Sequence, residues 1–155
     1  AIAIGGIYGS KRQLCEILDW SLKNVSEEKP RHLLGIGEVV NLFDGVERGI
    51  DLFDCVAPTR RARNGSLYSS KGLLNIRVAK YKAAPKPIDP ECNCYTCQNF
   101  SRSYLHHLCC ANELTYHSLA TFHNLYFINN LMKEIREAIS NKQFKKFKAR
   151  YKTRP

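Results

Sequence analysis

The first 54 residues alternate between short apolar runs and amphipathic stretches, and this alternation restricts the fold more than any other feature of the chain. Ala1-Ile2-Ala3-Ile4 is apolar and stops at Gly5-Gly6, as a buried strand entering a turn would. Ser10 and Gln13 have capping-box spacing, and Leu14, Ile17 and Leu18 share one face, so residues 10–24 are expected to be helical. A polar loop ending in Pro30 leads to His32-Leu33-Leu34-Gly35-Ile36-Gly37, a second strand that ends in glycines. Val39, Leu42, Phe43 and Val46 define a helix over 38–48 closed by Gly49, and Ile50-Asp51-Leu52-Phe53-Asp54 is a third strand. A β-α-β-α-β order means parallel strands with crossover helices, the α/β class. Three strands cannot close a barrel. They form a small open sheet, or one part of a (β/α)8 barrel whose other strands are absent here. In either case ligands gather at the carboxyl ends of the strands, which are Gly5-Gly6, Gly35 with Gly37, and Asp54.

Beyond Asp54 the rhythm changes. Pro58-Thr59-Arg60-Arg61-Ala62-Arg63-Asn64-Gly65 reads as a basic loop ending in a turn dipeptide. Residues 66–69 and 73–80, joined through Lys71-Gly72, read as a hairpin whose second arm extends toward the core. The proline-rich stretch 83–90 is a stiff linker. A helical pattern then runs from 101 almost to 140, with one break near Ala111-Asn112. The basic segment after Asn141 is expected to fray.

The linker delivers Glu91-Cys92-Asn93-Cys94-Tyr95-Thr96-Cys97. Three thiols this close suit a shared soft metal such as zinc better than a strained Cys92–Cys94 disulfide with one thiol left over. One tetrahedral position remains, and His106, His107, Cys109, Cys110, His117 and His123 follow. His106 to Cys110 come so soon after Cys97 that the chain has little room to leave the metal and return, which favours a later residue. Spacing does not separate His117 from His123. A protein ligand would make the zinc structural, whereas water would leave it open to catalysis.

A chain of 155 residues fits one domain or a piece of a larger one. No apolar run approaches the roughly 20 residues that span a bilayer, and no signal peptide is visible at the start. Seven cysteines without a paired pattern suit a reducing compartment, so a cytoplasmic protein is expected. The net charge of +10 is segregated: residues 55–88 hold eight Lys or Arg and no acid, and residues 133–155 hold nine against two acids. Segregated positive charge points to a polyanion such as nucleic acid. Arg60, Arg61 and Arg63 carry guanidinium groups suited to phosphate and guanine edges. Asp54 stands where a nucleophile or general base would stand, or it caps the following turn. Cys55 is read as a packing residue.

Asp54-Cys55-Val56 with Pro58-Thr59-Arg60, Arg63-Asn64-Gly65, Cys92-x-Cys94-x2-Cys97, His123 after a 25-residue gap, and Ser101-Arg102-Ser103-Tyr104-Leu105-His106-His107-Leu108 together resemble tRNA-guanine transglycosylase. The resemblance covers nearly the whole chain but only the C-terminal part of that family's barrel. It implies the C-terminal portion of a (β/α)8 TIM barrel with an inserted zinc-binding subdomain. Residues 1–80 would be the last barrel strands with the tRNA-reading loop and hairpin, 81–123 the zinc-binding subdomain, and 124–155 the final barrel helix and basic tail.

The implied reaction exchanges the wobble guanine of GUN-anticodon tRNAs (Asp, Asn, His and Tyr types) for a 7-deazaguanine, with Asp54 as the nucleophile of a covalent tRNA intermediate. Gly6 would line the base pocket. Gly35, Ile36, Gly37, Glu38, Val39, Val40 and Asn41 would touch tRNA, and Thr59, Arg60, Arg61, Ala62 and Arg63 would read the bases beside the wobble position. Cys92, Cys94, Cys97 and His123 would close a structural Zn2+ site, and a homodimer is implied. The chain departs from the family at Ile7-Tyr8-Gly9-Ser10-Lys11, where Leu-Ala-Val-Gly-Glu is usual, and at Leu34, where Met is common. The family's general-base Asp and base-recognition Asp lie on strands this chain does not contain, so the chain alone is expected to be inactive, as a fragment or one part of a split protein. The rival expectations are a non-catalytic partner subunit and a zinc-containing tRNA-binding module.

Overall fold

The computed structural model describes residues 1–6 and 9–152. The departure at Ile7-Tyr8 and the end of the basic tail therefore lie outside the described residues. The chain divides into two compact units, residues 1–57 and 58–155.

The first unit holds β1 (Ile2–Ile4), α1 (Lys11–Leu22), β2 (Arg31–Leu34), α2 (Val39–Glu47) and β3 (Leu52–Asp54). The strands form one parallel sheet in the order β1-β2-β3, with Ile4 opposite Leu33 and Leu34 opposite Asp54. The capping box at Ser10 and Gln13 is present and starts α1. Ile4, Leu14, Leu18, Leu33 and Ile50 form the buried core. Gly45 lets α2 press on β3, since a Cβ there would lie 2.9 Å from the Phe53 ring. Two ion pairs tie α1 to α2 or its C-cap: Lys11 Nζ to Asp44 at 2.7 Å and Arg48 Nε to Asp19 at 2.8 Å. The second strand is shorter than the pattern suggests. It stops at Leu34 because Gly35 adopts φ +73°, a left-handed conformation that turns the chain out of the sheet.

The second unit contains α3 (Ala57–Arg63), the antiparallel hairpin β4 (Ser66–Ser69) and β5 (Gly72–Asn75), α4 (Tyr95–Asn99), α5 (Arg102–Cys110), α6 (Leu114–Ser140) and α7 (Phe144–Lys152). Leu67, Ile76, Ile88, Leu105, Tyr116 and Ala120 are among its most buried residues.

Three expectations are corrected here. The basic loop at 58–65 is a helix, α3, from Ala57 to Arg63. Proline is tolerated in the first turn, the Arg and Ala residues that follow are good helix formers, and Gly65 at φ +86° ends it. The second hairpin arm ends at Asn75, and a 3-10 turn over Ala79–Tyr81 replaces the rest. The segment after Asn141 does not fray as a whole: Lys142 adopts φ +56°, Gln143 N–H donates to Ala138 O at 2.7 Å, and α7 follows. The same Schellman turn, built on Asn112 at φ +58° and Glu113 N–H to Leu108 O, makes the break between α5 and α6.

Candidate metal centre and nucleophile

Cys92, Cys94, Cys97 and His123 place their ligating atoms within 4.8 Å of one another. The linker and α4 bring the three thiols together. Cys94 is the N-cap of α4, and its sulfur accepts from Cys97 N–H at 3.3 Å. His123 arrives from α6 and is completely buried. Its Nδ1 lies 3.9, 3.3 and 3.4 Å from the sulfurs of Cys92, Cys94 and Cys97. A tetrahedral zinc with ordinary Zn–S and Zn–N bonds separates such atoms by about 3.6 Å, so this ligand set fits the ion.

The opposite ring nitrogen supplies a second test of fit. His123 Nε2 sits 2.8 Å from Tyr68 O. A carbonyl can only accept, so Nε2 carries a proton and Nδ1 is the nitrogen turned toward the thiols, the one available to ligate a metal. The four groups also act on one another electrostatically. Hydrogen bonds from Cys92 and Cys97 pull the Cys94 thiol far below its usual range, while bonds with Cys92 and Cys94 push Cys97 far up. Burial works against a His123 cation, yet the Cys92 and Cys94 thiols and the Tyr68 carbonyl outweigh it and raise the imidazole to about 9.

The other candidate ligands lie elsewhere. His106 Nδ1 is 2.8 Å from Ile76 O, Cys109 is buried in the core, and His107 and Cys110 are exposed. His117 lies on α6 outside the cluster.

Three residues that sequence reasoning passed over tie the elements around the cluster together. Asn124 is fully buried. Its Oδ1 accepts from Tyr68 N–H at 3.1 Å, and its Nδ2 donates to Pro58 O at 3.0 Å and Ser66 O at 3.1 Å. Tyr116 O–H donates to Ala62 O at 2.9 Å. The helix that carries His123 thus holds both ends of α3, the helix of Thr59 to Arg63. The third residue is Asp89, which accepts from Ser70 N–H at 2.6 Å, Ser70 O–H at 3.0 Å and Glu91 N–H at 3.0 Å. It fastens the linker to the hairpin directly before the first cysteine. A buried Asn after a ligand His, and an Asp inside a proline-rich linker, were the signals available. Buried polar groups of this kind are kept only where their bonds are satisfied.

On α3, Pro58 and Ala62 face inward, Arg60 and Arg63 are exposed, and Thr59 and Arg61 are half-buried. Arg60 and Arg63 are three residues apart and so share one helical face.

In the first unit, Asp54 ends β3 with 59% of its side chain exposed. His32 of β2 places Nε2 2.9 Å from Asp54 Oδ1. The register explains this contact. His32 pairs with Leu52, and Asp54 lies two residues further, on the same face of the sheet. Sequence reasoning took His32 only as the start of a strand. Behind Asp54, Cys55 Sγ lies 3.4 Å from Gly35 O and accepts from Ala57 N–H at 3.3 Å. Gly37 makes room for it, since a Cβ there would lie 2.4 Å from Cys55 Cβ.

Gly6 is exposed at φ +72° after β1, with open space where a Cβ would be. Gly35, Ile36 and Gly37 form the turn after β2, Glu38 is the N-cap of α2, and Val39, Val40 and Asn41 are its first turn.

A model of the queuine tRNA-ribosyltransferase family matches residues 1–154. The chain is 48% identical over 145 residues to the queuine tRNA-ribosyltransferase of Aquifex aeolicus, a match covering 94% of this chain and 36% of that protein. It is 47% identical over 151 residues to the Fusobacterium nucleatum protein of the same name, covering 96% and 40%. The Francisella tularensis protein is 46% identical over 151 residues, covering 96% and 41%. The chain thus spans about two-fifths of the length of the curated relatives it matches.

Proposed function

This chain belongs to the queuine tRNA-ribosyltransferase family, and we propose that it supplies the nucleophile and the tRNA-binding surface of a base-exchange enzyme. The substrate is a GUN-anticodon tRNA of the Asp, Asn, His or Tyr type, and the exchange replaces its wobble guanine with a 7-deazaguanine. Asp54 attacks the anomeric carbon of the flipped wobble nucleotide, guanine leaves, and the incoming base displaces Asp54 from the same carbon. Two displacements retain the glycosidic configuration. The observation that carries this reading is Asp54 itself, an exposed carboxylate at the carboxyl end of a parallel strand, where α/β folds place their chemistry.

Around it, the sheet of the first unit serves as the last strands of a (β/α)8 barrel, residues 81–123 as an inserted zinc subdomain and residues 124–155 as the barrel's final helix and tail. Gly6 lines the base pocket. Residues 35–41 meet the tRNA backbone at the N-terminus of α2, where free N–H groups favour phosphate. Thr59, Arg60, Arg61, Ala62 and Arg63 contact the anticodon loop. Zinc bound by Cys92, Cys94, Cys97 and His123 has a structural role, holding the linker to α6. A homodimer forms through the zinc-bearing unit. An aromatic ladder supports this surface: half-buried Phe100 stacks on exposed Tyr104 at 5.3 Å, and exposed Tyr95 packs edge-on against both Phe100 and the exposed Phe122. No helix among the described residues is long and apolar enough to cross a membrane.

Asp54→Asn in the full-length protein tests the assignment. The expected result is loss of the covalent tRNA adduct on denaturing gels with tRNA affinity retained. An adduct that survives the substitution sinks the nucleophile. Tight tRNA binding without any adduct in the parent protein favours a zinc-containing binding module or partner subunit instead.

A further inference from the structure

We propose that His32 is a positioning residue for Asp54, an inference that rests on the reading of Asp54 as nucleophile. His32 Nε2 lies 2.9 Å from Asp54 Oδ1, and the parallel register of β2 and β3 places both side chains on one face of the sheet. An ionised carboxylate only accepts, so the imidazole donates from Nε2. That bond selects between the two carboxylate oxygens. Oδ1 is held by His32, and Oδ2 is left to form the bond to the anomeric carbon.

The contact has different consequences for the two half-reactions. In the first, the Oδ2–C1′ bond forms as the glycosidic C–N bond breaks, and the electron pair leaves with guanine, which takes up a proton. In the second, the ring nitrogen of the incoming deazaguanine attacks C1′, loses its proton, and the Oδ2–C1′ bond breaks with its electron pair returning to Asp54. In the adduct Oδ1 is an ester carbonyl oxygen, and as the ester breaks it regains carboxylate charge. A donor fixed on Oδ1 therefore stabilises the departing carboxylate and speeds discharge of the adduct. During attack the same donor stabilises the carboxylate before reaction, so its gain in orientation is partly offset. The imidazole is half-buried between solvent and the sheet, 28% exposed, and so keeps a fixed direction without being sealed off.

The test is single-turnover kinetics in the full-length protein with His32→Phe and His32→Gln. Phenylalanine keeps the ring and removes the donor, whereas glutamine keeps an N–H near the position of Nε2. The expected result for His32→Phe is discharge of the isolated adduct by incoming base slowed about tenfold, a typical effect for one hydrogen bond to a charged group. Adduct formation should slow less, and tRNA affinity should stay within twofold. His32→Gln should recover discharge to within about threefold of the parent. If His32→Phe does not fold, His32→Ala carries the same arm. Discharge within twofold of the parent in the donor-less variant overturns the inference, as does a His32→Gln protein as slow as His32→Phe. Asp54→Asn keeps the two ideas apart: if it still forms the adduct, the nucleophile is wrong. If it forms none and donor-less His32 variants discharge normally, only the role of His32 fails.

Discussion

Asn124→Leu should be among the most damaging single substitutions outside the metal ligands. Leucine matches asparagine in length and branching, so it leaves little cavity, but it deletes three hydrogen bonds of 3.0 to 3.1 Å to Tyr68 N–H, Pro58 O and Ser66 O. Each net bond is worth about 1 kcal/mol, and the buried Tyr68 N–H would lose the partner it has in Asn124, so the loss is roughly 3 kcal/mol. For a unit of this size that corresponds to a fall in melting temperature on the order of 10 °C. Asn124→Asp should be worse, although it is nearly isosteric. Its carboxylate can still accept from Tyr68, but its second oxygen faces the Pro58 and Ser66 carbonyls with no proton to offer. Urea unfolding followed by circular dichroism, with zinc saturating, measures both. An Asn124→Leu protein within about 0.5 kcal/mol of the parent, or an Asp variant more stable than the Leu variant, would refute the reasoning.

The metal should matter more still. Cys94→Ser is expected to lower bound zinc from one per chain toward none by elemental analysis and to unfold the second unit, because binding free energy at such sites is on the order of 10 kcal/mol and acts as folding free energy. A zinc-free variant that keeps its helical signal would remove the structural role from the site. Arg60→Ala and Arg63→Ala, on the exposed face of α3, should weaken tRNA binding and each lower the slope of log affinity against log salt by about one. An unchanged slope in filter-binding titrations would place the phosphates elsewhere. Gly37→Ala should destabilise the first unit by about 1–3 kcal/mol, because the new methyl lies 2.4 Å from Cys55 Cβ, and Cys55→Gly in the same chain should recover part of it in thermal melts.

Local chemistry was legible wherever one residue type has one physical use. The capping box at Ser10 and Gln13 predicted the start of α1, and three closely spaced thiols predicted a metal cluster. Asn112 announced the break before α6, since asparagine tolerates a left-handed backbone. Lys142 performs the same turn but is not a residue that advertises it, so the sequence alone reads as a fraying tail where α7 forms. The charge of α3 hid its helix. Three arginines looked like a loop, although Pro58 at the first turn and Gly65 after the last are ordinary helix boundaries. The contacts that depend on tertiary register were the least visible. His32 meets Asp54 only because β2 and β3 pair in one particular alignment, and Asn124 meets Pro58 across 66 residues of sequence.

The two-sided engagement of His123 limits how this centre can change. A fourth cysteine would be a competent zinc ligand, and many structural sites use four thiolates. It would nonetheless be the wrong exchange here. A thiolate bound to metal has no N–H left over, whereas the imidazole can ligate with one nitrogen while it donates to Tyr68 O with the other. The hairpin would lose the bond between Tyr68 O and the ligand's own side chain. Imidazole at position 123 can thus serve both a metal ion and the strand. A His123→Cys protein should still take up zinc while its hairpin amides exchange with solvent faster.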